Sequence, residues 1–312
     1  MQKNLVIVIG GPTASGKSSL ALDVAKEFDG IIINADSMQI YKDTPILSAC
    51  PTEDEKKQIP HKLYGLFESA RHGTVAEWLK LAAAEIRNAW KNGKMPVVVG
   101  GSGMYIDILI NGMSPISETS VKIQQETAAL LDKIGSHGIH KILEEKDPET
   151  AKKLSPNDTT RVRRAYEVLQ DTGKSISEWH KEPNIRPIPE AEFYVIKIIP
   201  SAQDLDEASF WRFDKMLELG ALEEAKKIMS LGLNKNLPAM KALGVPELID
   251  HLEGRTALSE AIVLAKLHTR QYAKRQRTWF NNKLKSDMTL KKCYKSDKNL
   301  MKELKKVLHK SS

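Results

Sequence analysis

Leu5-Val6-Ile7-Val8-Ile9-Gly10-Gly11-Pro12-Thr13-Ala14-Ser15-Gly16-Lys17-Ser18 is the stretch on which the reading of this chain turns. The run from Leu5 to Ile9 is apolar on both faces, as a strand buried in a parallel sheet must be. Gly11 to Ser18 then has the spacing G-x-x-x-x-G-K-S, and Ser19-Leu20-Ala21-Leu22-Asp23-Val24-Ala25-Lys26 continues with helical apolar spacing. Strand, glycine turn and helix in that order form a phosphate-binding loop of the kind that holds ATP and other polyphosphates. Glycines let successive backbone N–H groups converge on one anion, and the helix adds the positive end of its dipole. Lys17 neutralises phosphate charge, and the Ser18 hydroxyl can reach a metal ion such as Mg²⁺. The loop does not by itself select which polyphosphate is bound.

The chain has 312 residues, 41% of them hydrophobic and 28% charged, the balance of a water-soluble protein with room for a large core. Leu5 to Ile9 is too short to span a membrane and lacks the layout of a signal peptide. Two cysteines, Cys50 and Cys293, give neither a disulfide framework nor a metal pair, and the eight histidines show no zinc spacing. A reducing cytoplasm and a monomer are expected. The net charge of +7 is uneven: residues 255–312 hold 16 Lys and Arg against 4 Asp and Glu, and the rest of the chain holds 31 against 36. A basic end on a mildly acidic body suggests a polyanionic partner, although a solvated lysine tail accounts equally well for 283–312.

Gly30 to Ser37 reads as a second apolar strand ending in Asn34-Ala35-Asp36-Ser37. Parallel sheets bind ligands at the carboxyl ends of their strands, so Asp36 is placed beside the phosphate loop; position alone also allows a turn or cap aspartate. Residues 41–73 read as loops and one short helix. Thr74 caps a helix to Trp90, and Met95 to Gly101 is a third buried strand. The alternation predicts an α/β fold, a parallel P-loop NTPase-like sheet flanked by helices. Residues 121–180 show helical periodicity only, Glu192 to Ile199 reads as one more strand, and 204–280 is helical. The division expected is a first core part at 1–114, an all-helical insertion at 115–189, and the core continued at 190–312.

Two basic clusters stand out. Thr160-Arg161-Val162-Arg163-Arg164 opens a helix in the insertion with three arginines in one turn, which alone is also what a solvated face looks like. Arg270, Lys274 and Arg277 share one face of a second helix, while Tyr272 and Trp279 share another that reads as core.

Taken together, these pieces resemble the tRNA dimethylallyltransferase (tRNA isopentenyltransferase) family. The likeness is carried by 11–18, by Asn-Ala-Asp-Ser-Met-Gln-Ile-Tyr at 34–41, Pro-His-Lys-Leu at 60–63 and Gly-Gly-Ser-Gly-Met-Tyr at 100–105. It continues through 156–165, Arg-Phe-Asp-Lys-Met at 212–216, Ala-Leu-Gly at 242–244 and Arg-Gln-Tyr-Ala-Lys-Arg-Gln-Arg-Thr-Trp-Phe at 270–280, and fades after Lys283. The chain departs from the family pattern at Cys50, in place of a lysine, and at Val245-Pro246.

The resemblance implies transfer of a dimethylallyl group from dimethylallyl diphosphate to N6 of the adenosine just 3′ of the tRNA anticodon, with the anticodon stem-loop as partner. It implies that Gly11, Pro12, Thr13, Ala14, Ser15, Gly16, Lys17 and Ser18 hold the diphosphate, with Mg²⁺ on Ser18. Asp36 is then the base, and Arg212 and Ser18 steady the leaving group; spacing alone would leave Arg212 a solvated helix residue. Contacts to tRNA are implied for Asp36, Ser37, Met38, Gln39, Ser102, Lys122, the 160–164 turn, Lys241 and Gly244. The adenine must leave its stack to reach such a site. A nucleotide-kinase-like phosphotransferase and a prenyltransferase of free adenine nucleotides share the loop, but neither needs two basic patches.

Overall fold

A computed structural model describes residues 4–310. In chain order its elements are β1 (Leu5–Gly10), α1 (Lys17–Glu27), β2 (Gly30–Asn34), α2 (Glu53–Gln58), β3 (His61–Lys62), α3 (Val75–Lys91), β4 (Met95–Gly100) and α4 (Gly103–Asn111). Then come α5 (Val121–Lys146), α6 (Pro148–Ala151), α7 (Thr159–Thr172), α8 (Ile176–Trp179), β5 (Glu192–Ile198), α9 (Ala202–Glu218), α10 (Ala221–Ser230), α11 (Val245–Leu252), α12 (Leu258–Lys283), β6 (Met288–Leu290) and α13 (Lys298–Lys310).

The six strands pair in parallel in the order β3-β2-β4-β1-β5-β6. Ile7 of β1 sits level with Val97 on one side and Tyr194 on the other. The chain leaves β1 through α1 and re-enters the sheet two places away at β2, with β4 between them. Chain order thus changes direction around β1, and the carboxyl end of β1, where the phosphate loop begins, opens onto a crevice. Side chains alternate across the sheet: Val6, Val8, Ile31, Ile33 and Val98 pack under α3, α4 and α9 to α12, whereas Leu5, Ile7, Ile9, Ile32, Val97 and Val99 pack under α1 and α13. Both faces are therefore covered, which is why the strands read as unbroken apolar runs.

Two short strands go unread in the sequence. β3 and β6 extend the sheet at its two edges, and neither shows a strand-length apolar run. The lysine-rich end is not a solvated tail: in α13, Leu300, Met301, Leu304 and Leu308 are buried on the sheet side, and Lys305 pairs with Glu27 of α1.

By its internal contacts the chain divides into two compact units. One comprises the described residues up to Ile110 and from Pro187 onward; the other is Asn111–Arg186. The second unit has its own small core of Ile139, Leu143, Ala151, Val162 and Ala165, and its ends meet where Met113 bridges Ile185. Its long α5 is broken at Gly135, whose φ of 69° stops the helix.

Candidate active site

The phosphate loop emerges from β1 and caps α1 through Gly16, which has a φ of 86°. A side chain there is also excluded sterically, because a Cβ would lie 2.2 Å from the carbonyl oxygen of Tyr294. The Tyr294 N–H donates to the Ser15 carbonyl at 2.9 Å, and its hydroxyl donates to Asp23 at 2.7 Å. The segment between β6 and α13 thus braces the loop from outside. The first turn of α1 carries no acid, so its positive end is unopposed. Lys17 Nζ donates to the Pro12 carbonyl at 3.1 Å. Burial pushes its pKa down to about 8, against the pull of Asp36 upward and with Arg212 adding to the fall.

Asp36 lies just past the end of β2, after Ala35. The Asn34 side chain holds its backbone at both ends, Oδ1 accepting the Asp36 N–H at 2.8 Å and Nδ2 donating to the Asp36 carbonyl at 3.0 Å. Asp36 Oδ1 accepts the Met38 N–H at 3.0 Å, while Oδ2 turns toward Gly101, where an added Cβ would lie 2.9 Å from it. Beside it the Ser102 hydroxyl accepts the Ser37 N–H at 2.8 Å and donates to the Ser37 hydroxyl at 3.0 Å.

Gln276 of α12 ties these parts together. Its Oε1 accepts the Thr13 N–H and its Nε2 donates to the Gly101 carbonyl, each at 2.8 Å, so one buried amide joins the phosphate loop to the turn that touches Asp36. Thr13 is held a second time by Arg212, which donates to its hydroxyl. Burial lowers the Arg212 pKa to about 10, with Asp36 opposing the fall.

These groups line two cavities that share Arg212. One, of about 430 Å³, is walled by Asp36, Thr13, Met38, Leu47, Phe213 and Tyr272 among others. The other, of about 380 Å³, holds Gly16, Lys17 and Ser18 and extends past Ala49 and Cys50. The first offers a carboxylate amid apolar and aromatic surface; the second offers an anion cradle. Among the described residues no three His, Cys, Asp or Glu side chains cluster to hold a metal. The exposed Ser18 hydroxyl is the protein donor available, which suits Mg²⁺ carried mainly by phosphate oxygens and water.

The remaining residues named from the sequence scatter in role. Lys241 lines the Asp36 cavity, and Gln39 lines the phosphate cavity while donating to the Ser48 and Ala49 carbonyls at 3.0 and 2.7 Å. Gly244 is buried with a φ of 89°, and a Cβ there would strike Leu47 and Phe213 at 2.9 Å. It is a backbone pivot ahead of α11.

In the second unit Lys122, Thr160 and Arg161 are exposed. Val162 is wholly buried in that unit's core, so its side chain is corrected from a contact to a packing residue. Arg163 is committed to buried Glu167 at 2.6 Å, and Arg164 donates to the Thr119 hydroxyl at 3.2 Å. On α12, Lys274 is exposed, Arg270 pairs with Asp206 at 2.8 Å, and Arg277 donates to the Pro200 carbonyl at 2.8 Å. Tyr272, read as core, instead walls the Asp36 cavity, with its hydroxyl pKa raised foremost by burial. Arg275 joins it there, and neither it nor Gln276 was singled out by charge or spacing.

The family model described as IPP transferase matches residues 39–283. The tRNA dimethylallyltransferase of Rhodospirillum centenum is 44% identical over 279 residues, covering 89% of this chain and 89% of that one. That of Rickettsia canadensis is 38% identical over 291 residues, covering 93% and 90%. Among solved structures, the tRNA isopentenylpyrophosphate transferase of Bacillus halodurans superposes with a TM-score of 0.70 at 30% identity, covering 99% of this chain and 96% of that one. A eukaryotic dimethylallyltransferase described as acting on tRNA gives 0.79 at 30% identity, covering 89% and 70%.

Proposed function

The chain belongs to the IPP transferase family, and from that premise we propose that it moves a dimethylallyl group from dimethylallyl diphosphate to N6 of the adenosine immediately 3′ of the anticodon in tRNA. The observation that carries the reading is the pairing of cavities: a carboxylate in one, an anion cradle in the other, and Arg212 in the wall of both.

The diphosphate occupies the loop 11–18. Its charge is met by the loop N–H groups, Lys17 and the amino end of α1. Ser18, together with the diphosphate oxygens, would hold Mg²⁺, which would supply further charge neutralisation. The allyl group extends toward Asp36, where apolar Met38, Leu47 and Phe213 exclude water. The adenine enters the same cavity, unstacked, with Tyr272 as a flat neighbour.

The N6 lone pair forms the new carbon–nitrogen bond as the carbon–oxygen bond to diphosphate breaks, and that bond's electron pair leaves with the diphosphate. Arg212 and Lys17 are cations already in place when this charge develops, so no reorganisation is needed at that moment. The free Oδ2 of Asp36 accepts the amine proton, while its Oδ1 stays bonded to Met38 and fixes the carboxylate plane.

The exposed cations Lys122, Arg161, Lys241 and Lys274 are assigned to the tRNA backbone, with Ser37 and Ser102 beside the base. Both cavities are built from one chain, which suits a monomer, and the RNA substrate suits the cytoplasm. Among the described residues no helix is long and apolar enough to cross a membrane.

The test is product analysis. Incubation with tRNA and dimethylallyl diphosphate, followed by nuclease digestion and mass spectrometry, should yield dimethylallyl-adenosine. A parallel incubation with ATP and a nucleoside monophosphate should yield no phosphorylated product. The reverse pattern would move the chain to phosphotransfer.

A further inference from the structure

Residues 44–50, Thr-Pro-Ile-Leu-Ser-Ala-Cys, fold into one tight turn. The Ser48 N–H donates to the Thr44 carbonyl at 3.0 Å, Ala49 to Ile46 at 2.9 Å and Cys50 to Pro45 at 2.8 Å. Such a turn leaves the N–H groups at its start unpaired, and a nearby hydroxyl usually caps them. Thr44 does not: its Oγ1 is buried and makes no hydrogen bond. The cap comes from Glu224 in α10. Its Oε2 accepts the Ile46 N–H and its Oε1 the Leu47 N–H, each at 2.8 Å. Glu224 is only 8% exposed, and no step of the proposed reaction uses it.

The carbonyl end of the same turn is held by the Gln39 amide, three residues past Asp36. The turn is therefore clamped at both ends. It also separates the two cavities: Leu47 and Ser48 face the Asp36 side, Ala49 and Cys50 the phosphate side.

We infer that Glu224 is a positioning residue, whose two hydrogen bonds set the 44–50 turn and so the register between diphosphate and base. This rests on the transferase reading for what the cavities hold, but not for the anchoring itself. A carboxylate suits the task because it accepts on both oxygens at once. Glutamine offers one acceptor and sets an N–H₂ against the second N–H.

The test reads the turn directly and then its consequence. Cys50 ends the turn, half-buried, with its thiol pKa pushed up to about 11 chiefly by burial. Cys293 lies far along the chain beside Asp204 and serves as an internal reference. In Glu224→Gln, iodoacetamide labelling of Cys50, followed by peptide mass spectrometry, should accelerate about tenfold with Cys293 unchanged. In steady-state assays kcat/KM for dimethylallyl diphosphate should fall about ten- to hundredfold, while the tRNA Kd stays within about twofold.

An unchanged Cys50 rate in the folded variant, or equal acceleration of both cysteines, overturns the inference; so does faster Cys50 labelling with kcat/KM intact. If Glu224→Gln does not fold, Glu224→Asp keeps the charge one methylene short and is read the same way. A wild type that makes no prenylated adenosine refutes the transferase reading, and the labelling rates still decide whether Glu224 holds the turn.

Discussion

Raising the pH from 7.5 to 9.5 should weaken dimethylallyl diphosphate binding by an amount set by Lys17. Burial holds the pKa of this lysine at about 8 in the free protein. A bound diphosphate supplies the opposite charge that the empty loop lacks, returning the pKa to its ordinary range above 10. Binding therefore favours the protonated lysine. Below about pH 8 the proton is already present; above it, binding must take one up, and apparent affinity falls as pH rises. For a free-state pKa of 8, the expected loss between pH 7.5 and 9.5 is ~25-fold, or about 2 kcal/mol. The ligand does not confound this, because a terminal phosphate has its second pKa near about 6 and is fully charged throughout. Isothermal titration in two buffers of different ionisation heat gives Kd and the protons taken up together. Uptake should approach about one proton at pH 9.5. Lys17→Met should bind weakly with a flat profile. A Kd constant within about threefold across the range, or no proton uptake at pH 9.5, would refute the linkage between loop burial and Lys17 charge.

Asp36→Asn should lower kcat by about a hundred- to ten-thousandfold with diphosphate Kd little changed; near-full kcat would make Asp36 structural. Because the Asp36 carboxylate raises the Lys17 pKa, the same variant should also begin losing diphosphate affinity at a lower pH than wild type. Arg161→Ala should reduce the salt slope of tRNA binding by about one, whereas Arg163→Ala should instead destabilise the second unit by about 1–3 kcal/mol, because it strips buried Glu167 of its partner. Filter binding across a salt series and thermal melts separate the two, and identical behaviour of both variants would count against this division. Leu304→Ala, at a wholly buried site on the sheet-facing side of α13, should cost about 2–5 kcal/mol by urea denaturation; a loss under about 1 kcal/mol would mean that α13 is loosely seated.

The sheet was legible wherever burial on both faces wrote itself as a continuous apolar run, as in β1, β2 and β4. It was not legible at β3 and β6, whose two and three residues are too few to carry a period. In α13 the leucine spacing is present, but lysines outnumber the leucines, so the sequence alone leaves a solvated tail and a packed basic helix both open. The site divided the same way. Gly11 to Ser18 is a local motif, and Asp36 follows from the end of a strand. Gln276 meets Thr13 across 263 residues and Glu224 meets Ile46 across 178. A lone glutamine or glutamate on a helix carries no mark of such a partner. Tyr272 shows why spacing is not enough, because an aromatic facing a cavity has the same helical spacing as one facing a core. Val162 shows the opposite case, because a motif names consecutive residues while a helix turns successive side chains onto different faces.

The Tyr294 brace on Gly16 bears on the order in which the protein is made. Gly16 is synthesised 278 residues before Tyr294, so the phosphate loop precedes the backbone that seats it. At 5–20 residues per second the interval is roughly a quarter of a minute to a minute. During that time the loop has its glycines and its lysine but not its outer wall. A nascent chain would hold diphosphate poorly, and the gain of tight binding should follow the emergence of Tyr294.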